Sequence, residues 1–282
     1  MKLPNNRFID LTKLNVMGIL NVTQDSFSDG NKYFCLDKAI EHAFRLIDEG
    51  ADLIDIGGES TRPGALPVSE AEEIDRVMPI IESLRKDIDV PISIDTYKPK
   101  VALYAIKAGA DIVNDITSLS YGSDLSMTEV LIQFPDIPVI LMHMQGTPQT
   151  MQQNPIYDNV ISDIQNYFRD RISYCQTNKI DLNRIILDPG IGFGKSFLHN
   201  IEIIKNIDKF QDLSPEYKQQ FPVLLGTSRK SFINLIYSSK PDERLVGSLA
   251  STVSAFIHKI QFIRVHDVKE HKQMIKSLEW ML

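Results

Sequence analysis

The chain is poor in cysteine, and Cys35 and Cys175 fall in no spacing typical of a metal site or a redox pair. Both read as reduced thiols. No run approaches the roughly 18 apolar residues that a membrane span needs. The opening MKLPNNRFIDLT has no apolar stretch of the secretory kind, so a cytoplasmic protein is expected, with no membrane partner. There is no excess of positive charge either. A net charge of −7 argues against a nucleic-acid surface but leaves room for an anionic small substrate if a few cations are concentrated in one place. No proline- or serine-rich linker divides the chain, and residues 1–282 read as one domain. At 43% hydrophobic content it can fill a barrel and the helices around it.

What is present is alternation. Short apolar runs end near Leu20, Ile56, Ile94, Val113, Met142, Leu187, Leu225 and Val265, with amphipathic segments between them. Such alternation argues for βα units and a parallel sheet. Gly50 and Gly109 stand where helix C-caps belong, and Ser69 with Glu72 looks like a capping box. Glu70–Glu73 with Asp75 reads as a solvated helix face. Eight units predict a (β/α)8 TIM barrel closed by right-handed crossovers. A doubly wound sheet is the alternative, but no first strand is followed by GxGxxG, and DPGIGFGK misses the P-loop spacing at Pro189.

Polar residues follow nearly every predicted strand, on the rim where barrel enzymes place their sites. They are Asn21, then Glu59, Thr61 and Arg62, then Asp95, Asn114 and Asp115, His143, Asp188, Ser228 to Lys230, and Arg264, His266 and Asp267. Any one could cap a turn; convergence on one rim favours a site. Asp95, Asn114 and Asp188 suit a heterocycle bearing N–H donors. Arg62, Lys230, Arg264 and His266 suit phosphate oxygens or a ring carbonyl. The pattern predicts two poles, one for donors and one for anions.

MGILNVTQDSFSDG, GGESTRPG, SIDTYK, NDI, LMHMQGTPQTMQ, DPGIGFGK, GTSRKS and RVHDV together resemble, in order, the motifs of the dihydropteroate synthase family. The resemblance runs from about Val16 to Val268, and GGESTRPG, DPGIGFGK and RVHDV carry most of its specificity. It implies a transferase of folate biosynthesis that condenses 6-hydroxymethyl-7,8-dihydropterin diphosphate with p-aminobenzoate, a sulfonamide target and commonly a homodimer. By the same resemblance Asp95, Asn114, Asp188 and Lys230 hold the pterin, with Asp95, Asp188 and Lys230 taking part in catalysis. Thr61, Arg264 and His266 bind the diphosphate, and Asn21 supports Mg2+. Arg62 and Pro63 lie near the p-aminobenzoate, and Ser231 helps hold its carboxylate. Two loops, NVTQDSFSDG and GGESTRPG, close over the site. The chain departs from the pattern at Gln24, where proline is usual, and at Asn31, where glycine is frequent; neither change removes a catalytic group.

The rival readings are a purely structural barrel and two other kinds of pterin-binding protein. A pterin-binding methyltransferase would not need the SRKS and RVHDV cations, and a silent pterin-binding paralogue would have lost Lys230, Arg264 or a loop motif. His266 and His143 have structural readings as well as functional ones. His42, His199, His258 and His271 fall on helical segments and are expected to face solvent.

Overall fold

In the computed structural model of the chain, the structure describes residues 1–22, 32–61, 64–122, 124–214, 217 and 219–282, without the side chains of 32–35. Strands and helices alternate. β1 is Asn15–Asn21, α1 Lys32–Asp48, β2 Leu53–Gly57, α2 Glu70–Asp87, β3 Ile92–Asp95, α3 Pro99–Ala108, β4 Ile112–Asp115 and α4 Met127–Gln133. Then come β5 Val139–Met142, α5 Val160–Thr177, β6 Ile185–Asp188, α6 Phe197–Lys205, β7 Leu224–Leu225, α7 Leu245–Ile257, β8 Phe262–Val265 and α8 Val268–Met281. All eight expected strands are present.

The strands form one parallel sheet in the order β6-β5-β4-β3-β2-β1-β8-β7. The two ends of that order meet at a parallel bridge between Leu187 and Val223, which closes the barrel. The open doubly wound alternative is thereby excluded. Buried on both faces, the strands read as nearly continuous apolar runs, which parallel strands require.

The period of two along a strand sorts residues between the barrel interior and the helices. Met17, Leu53, Ile112, Ile140, Ile186, Leu224 and Phe262 form one apolar layer, sealed below by Leu3 and Ile9. Two residues further along their strands stand Asp55, Asn114, Asp188 and Arg264. The barrel therefore has a dry floor and a polar storey directly above it.

The helix signals largely hold. Ser69 Oγ accepts the Glu72 amide at 3.2 Å, opening α2. Gly109 closes α3 with φ +115°, and Gly50 follows α1 with φ +100°. The acidic start of α2 is not wholly solvated, however. Glu73 is 1% exposed, because it shares the inner stripe with Val77, Ile80, Ile81 and Leu84 and meets a buried lysine. The helical histidines also depart from expectation. His271 is fully buried against Thr252 Oγ1, and His42, His199 and His258 are only partly exposed. Cys175 is a free thiol in the core.

Candidate active site

Asp95 ends β3, Asn114 lies in β4, Asp188 ends β6 and Arg264 lies in β8. Arg264 Nη2 donates to Asp95 Oδ2 at 2.7 Å and its Nε to Asp55 Oδ2 at 2.5 Å. Asn114 Nδ2 donates to the same Asp55 oxygen at 3.1 Å. These bonds join β8 to β2 and β3, and β4 to β2, past one intervening strand or, for β8 and β3, two. They must cross the interior, so four site residues share one mouth.

Lys230 reaches the mouth from the loop after β7. Its ammonium donates to the Ile191 carbonyl at 2.5 Å and lies 4.6 Å from the centre of the Phe193 ring. Asp188 Oδ1 accepts the Gly190 amide at 2.7 Å, so this carboxylate does cap the turn after β6. An ionised carboxylate oxygen has a second lone pair, so capping leaves acceptor capacity for a ligand. Ser228 Oγ lies 3.0 Å from His266 Nδ1 and accepts the His266 amide at 3.1 Å, tying the β7 loop to the end of β8. Asn21 is half-buried at the end of β1, Thr61 is half-buried four residues past the end of β2, and Ser231 is exposed beside Lys230. Arg62, Pro63, Gln24, Asn31 and most of the first expected loop lie outside the described residues, whereas the second loop is described except at Arg62 and Pro63.

Low dielectric and close charges set the titration of the mouth. Burial pushes the Asp95 carboxyl up to about 7, against the pull of Arg264, with Asp55, Glu73 and Asp115 adding to the rise. Burial likewise raises Asp188, opposed by the Lys230 ammonium and the Gly190 amide. Lys230 is brought down to about 8 by burial, with Asp188 resisting. The two expected poles are in fact interleaved. Arg264 sits among acceptors, because a cation this deep needs carboxylate partners.

Two features were missed in the sequence. Asp55 was overlooked because it stands inside β2 and not after it; its signal is the alternation Leu53, Asp55, Gly57. Lys195 of DPGIGFGK is buried, with Nζ 3.0 Å from His143 Nδ1 and 2.9 Å from the Phe193 carbonyl. Burial, with the Lys195 charge beside it, lowers the His143 imidazole to about 2, which keeps that ring neutral. His143 thus has a described structural partner. Glu59, expected on the rim, turns its carboxylate to Tyr97 and Lys98.

Two glycines after Asp188 allow a close approach of backbone to backbone. A Cβ on Gly190, at φ +68°, would lie 2.0 Å from the His143 carbonyl oxygen, and one on Gly194, at φ +64°, 2.5 Å from that of Gln145. They let the β6 loop press against the β5 loop.

A closed barrel with three acceptors, a paired arginine and a lysine around one mouth defines an enzyme that grips a polar planar heterocycle. The sequence pattern of the family described as "Pterin binding enzyme" matches residues 17–266. The chain is 44% identical over 271 residues to the dihydropteroate synthase of Escherichia coli strain K12, covering 96% of this chain and 93% of that one. A Yersinia pestis dihydropteroate synthase solved with a sulfonamide drug superposes with TM-score 0.91 at 43% identity, covering 100% and 98% of the two chains. The Xanthomonas albilineans dihydropteroate synthase with 4-aminobenzoic acid gives 0.88 at 38%, covering 98% and 96%. The chain is a pterin-binding barrel enzyme. It belongs to the dihydropteroate synthase family, and so is a transferase.

Proposed function

We propose that this chain condenses 6-hydroxymethyl-7,8-dihydropterin diphosphate with p-aminobenzoate to give 7,8-dihydropteroate and diphosphate. The methylene C–O bond breaks with its electron pair leaving on diphosphate. The arylamine nitrogen forms the new C–N bond, and the resulting ammonium, a strong enough acid to need no protein base, gives its extra proton to water. The observation that carries the reading is the convergence of Asp95, Asn114, Asp188, Lys230 and Arg264 on one barrel mouth.

In this reading Asp188 accepts donors on one edge of the pterin, and Asn114 and Asp95 serve another edge. Lys230 offers its proton to ring acceptors. Arg264 and His266, with Thr61, receive the diphosphate, and their donors stabilise charge growing on its oxygens. Negative charge at Asp95 and Asp188 steadies positive character at the methylene carbon. The arylamine is neutral at pH 7 and needs no base, so no covalent nucleophile is called for. Ser231, Arg62 and Pro63 are assigned to the p-aminobenzoate side, where sulfonamides would compete.

Mg2+ belongs to the proposal. Asn21 ends β1 in register with Gly57 of β2, and its amide oxygen is a hard donor. Mg2+ takes few protein ligands and completes its shell with water and substrate phosphates, so one amide beside a diphosphate fits. When bound, it would supply a Lewis acid toward the leaving oxygens. A homodimer is proposed as well, supported by Val246 and Ile257, which α7 exposes about three turns apart on one face. No helix among the described residues is long and apolar enough to cross a membrane.

The test is diphosphate release by purified protein, supplied with both substrates and Mg2+. Release that requires p-aminobenzoate is expected. Its absence would sink the proposal.

A further inference from the structure

Asp55 is 0% exposed, one storey above the barrel floor, in a strand whose neighbours on the same face are Leu53 and Gly57. Among the described residues, its side-chain partners are the two mouth residues Arg264 and Asn114. Burying an ionised carboxylate costs several kcal/mol unless partners offset it. Its Oδ2 serves two side chains, Arg264 Nε at 2.5 Å and Asn114 Nδ2 at 3.1 Å, while its buried Oδ1 has no hydrogen-bond partner among the described residues.

We propose that Asp55 is a positioning residue for the pterin half of the reaction, fixing the orientation of both Arg264 and Asn114 through one carboxylate oxygen. The inference rests on the pterin-transfer reading above. An ionised carboxylate only accepts hydrogen bonds, so Asn114 must turn its NH2 group to Asp55. That choice settles the amide flip and leaves the Asn114 carbonyl oxygen for a donor elsewhere. Arg264 is held at two points, Nε by Asp55 and Nη2 by Asp95. Two anchors on a rigid planar fork fix its plane as well as its place. Without Asp55, Arg264 would turn about its bond to Asp95, and Asn114 could present either end.

Asp55 also sets how Asp95 titrates. Asp95 is faced by Arg264 from β8, Asp55 from β2, Glu73 from α2 and Asp115 from β4, and it acts on Lys230 from the loop after β7. Among the like charges Asp55 has the largest effect, and it also shares the guanidinium that favours ionised Asp95. Replacing Asp55 by a neutral residue removes one repulsion, so Asp95 should ionise at lower pH.

The experiment compares wild type, Asp55→Asn, Arg264→Gln and the double variant. Initial rates are measured against each substrate across pH 5–9, with pterin titrated calorimetrically and melting curves taken. Asp55→Asn is expected to raise the KM for pterin diphosphate about tenfold or more, since hydrogen bonds to a charged group are lost. Its KM for p-aminobenzoate should stay within about twofold, a split that loss of folded protein cannot produce. The acid limb of kcat/KM should move to lower pH. In the Arg264→Gln background the effect of Asp55→Asn should shrink to about threefold or less, because coupled residues are not additive. If Asp55→Asn does not fold, Asp55→Ser is carried through the same measurements. Unchanged pterin KM with an unmoved acid limb, or full multiplication of the two effects, would overturn the inference while an active wild type leaves the parent reading standing. A wild type that neither binds pterin nor releases diphosphate would overturn both.

Discussion

Arg264 Nη2 and Asp95 Oδ2 lie 2.7 Å apart across the barrel mouth, joining β8 to β3. The pair needs an ionised Asp95, which prevails only above about 7, because burial raises that carboxyl despite the guanidinium. Lys230, lowered by burial to about 8, carries its proton only below that point. Both conditions hold together in a narrow window. The kcat/KM for pterin diphosphate, which reports groups of the free enzyme, should therefore be bell-shaped with its maximum between these limits. Lys230→Met should lower the rate and abolish the basic limb. A profile flat from pH 6 to 9 would refute the assignment.

Asp188→Asn should weaken pterin binding by about a hundredfold or more, roughly 3 kcal/mol, since an acceptor oxygen becomes a donor facing ligand N–H groups. The carboxylate also accepts the Gly190 amide at 2.7 Å, so the variant should melt at a lower temperature as well. Calorimetric titration beside melting curves separates the effects. A lower melting point with pterin affinity within a few fold of wild type would reduce Asp188 to a turn cap.

Most of the architecture was legible because each βα unit announces itself in a short window. The apolar runs at Leu20, Ile94 and Leu187 are bounded by polar residues on the mouth side, and the parallel ladder needs both faces of each strand apolar. Site residues at strand ends were legible for the same reason: Asp95 and Asp188 interrupt an apolar run where it stops. Asp55 was not, because one polar residue within LIDI looks like tolerance until the strand's inward parity is known. Glu73 and His271 were misjudged on charge alone. Each occupies an inward helix position, and only the tertiary partner, Lys98 for one and Thr252 for the other, shows why a polar group belongs there. Lys195 was invisible because its partners His143 and Phe193 are assembled by two loops meeting.

The metal assignment gives a prediction independent of the carboxylates. Thorough chelation should stop diphosphate release, and added Mg2+ should restore it. Asn21→Ala should raise the Mg2+ concentration needed for half-maximal rate while leaving calorimetric binding of the pterin itself close to wild type. A half-maximal concentration that does not move would remove Asn21 from the metal site.

Gly190→Ala should be among the costliest small substitutions in the chain. The residue sits at φ +68°, and its Cβ would overlap the backbone carbonyl oxygen of His143, which cannot rotate away as a side-chain tip would. Strain at positive φ alone costs roughly 1–2 kcal/mol, and the displaced carbonyl adds to it. Urea unfolding should show a loss above about 2 kcal/mol. A midpoint equal to wild type would mean that the two loops are not pressed together as described.

Lys98 gives the last prediction, and its sign with pH is the informative part. The ammonium is buried between the Glu59 and Glu73 carboxylates, and Glu59 also receives the Tyr97 hydroxyl at 3.0 Å. Glu59 begins the GGESTRPG turn region and Lys98 caps α3, so the lysine joins the second loop's base to the next βα unit. Lys98→Met keeps the stem but leaves two carboxylates facing each other without a cation. Removing one partner of a buried pair costs about 3–5 kcal/mol. Burial already raises the Glu73 carboxyl against the pull of Lys98. Its contribution is therefore present at low pH and lost as pH rises through its folded value, and without Lys98 that folded value rises further. The destabilisation by Lys98→Met should accordingly be largest at pH 8 and shrink toward pH 5, where Glu73 can take a proton. Adding Glu73→Gln should recover part of the loss at pH 8 and little at pH 5. Denaturant titrations of wild type and the two variants at both pH values decide the matter. An equal loss at both would mean that Lys98 acts through the packing of its stem and that the charge is incidental.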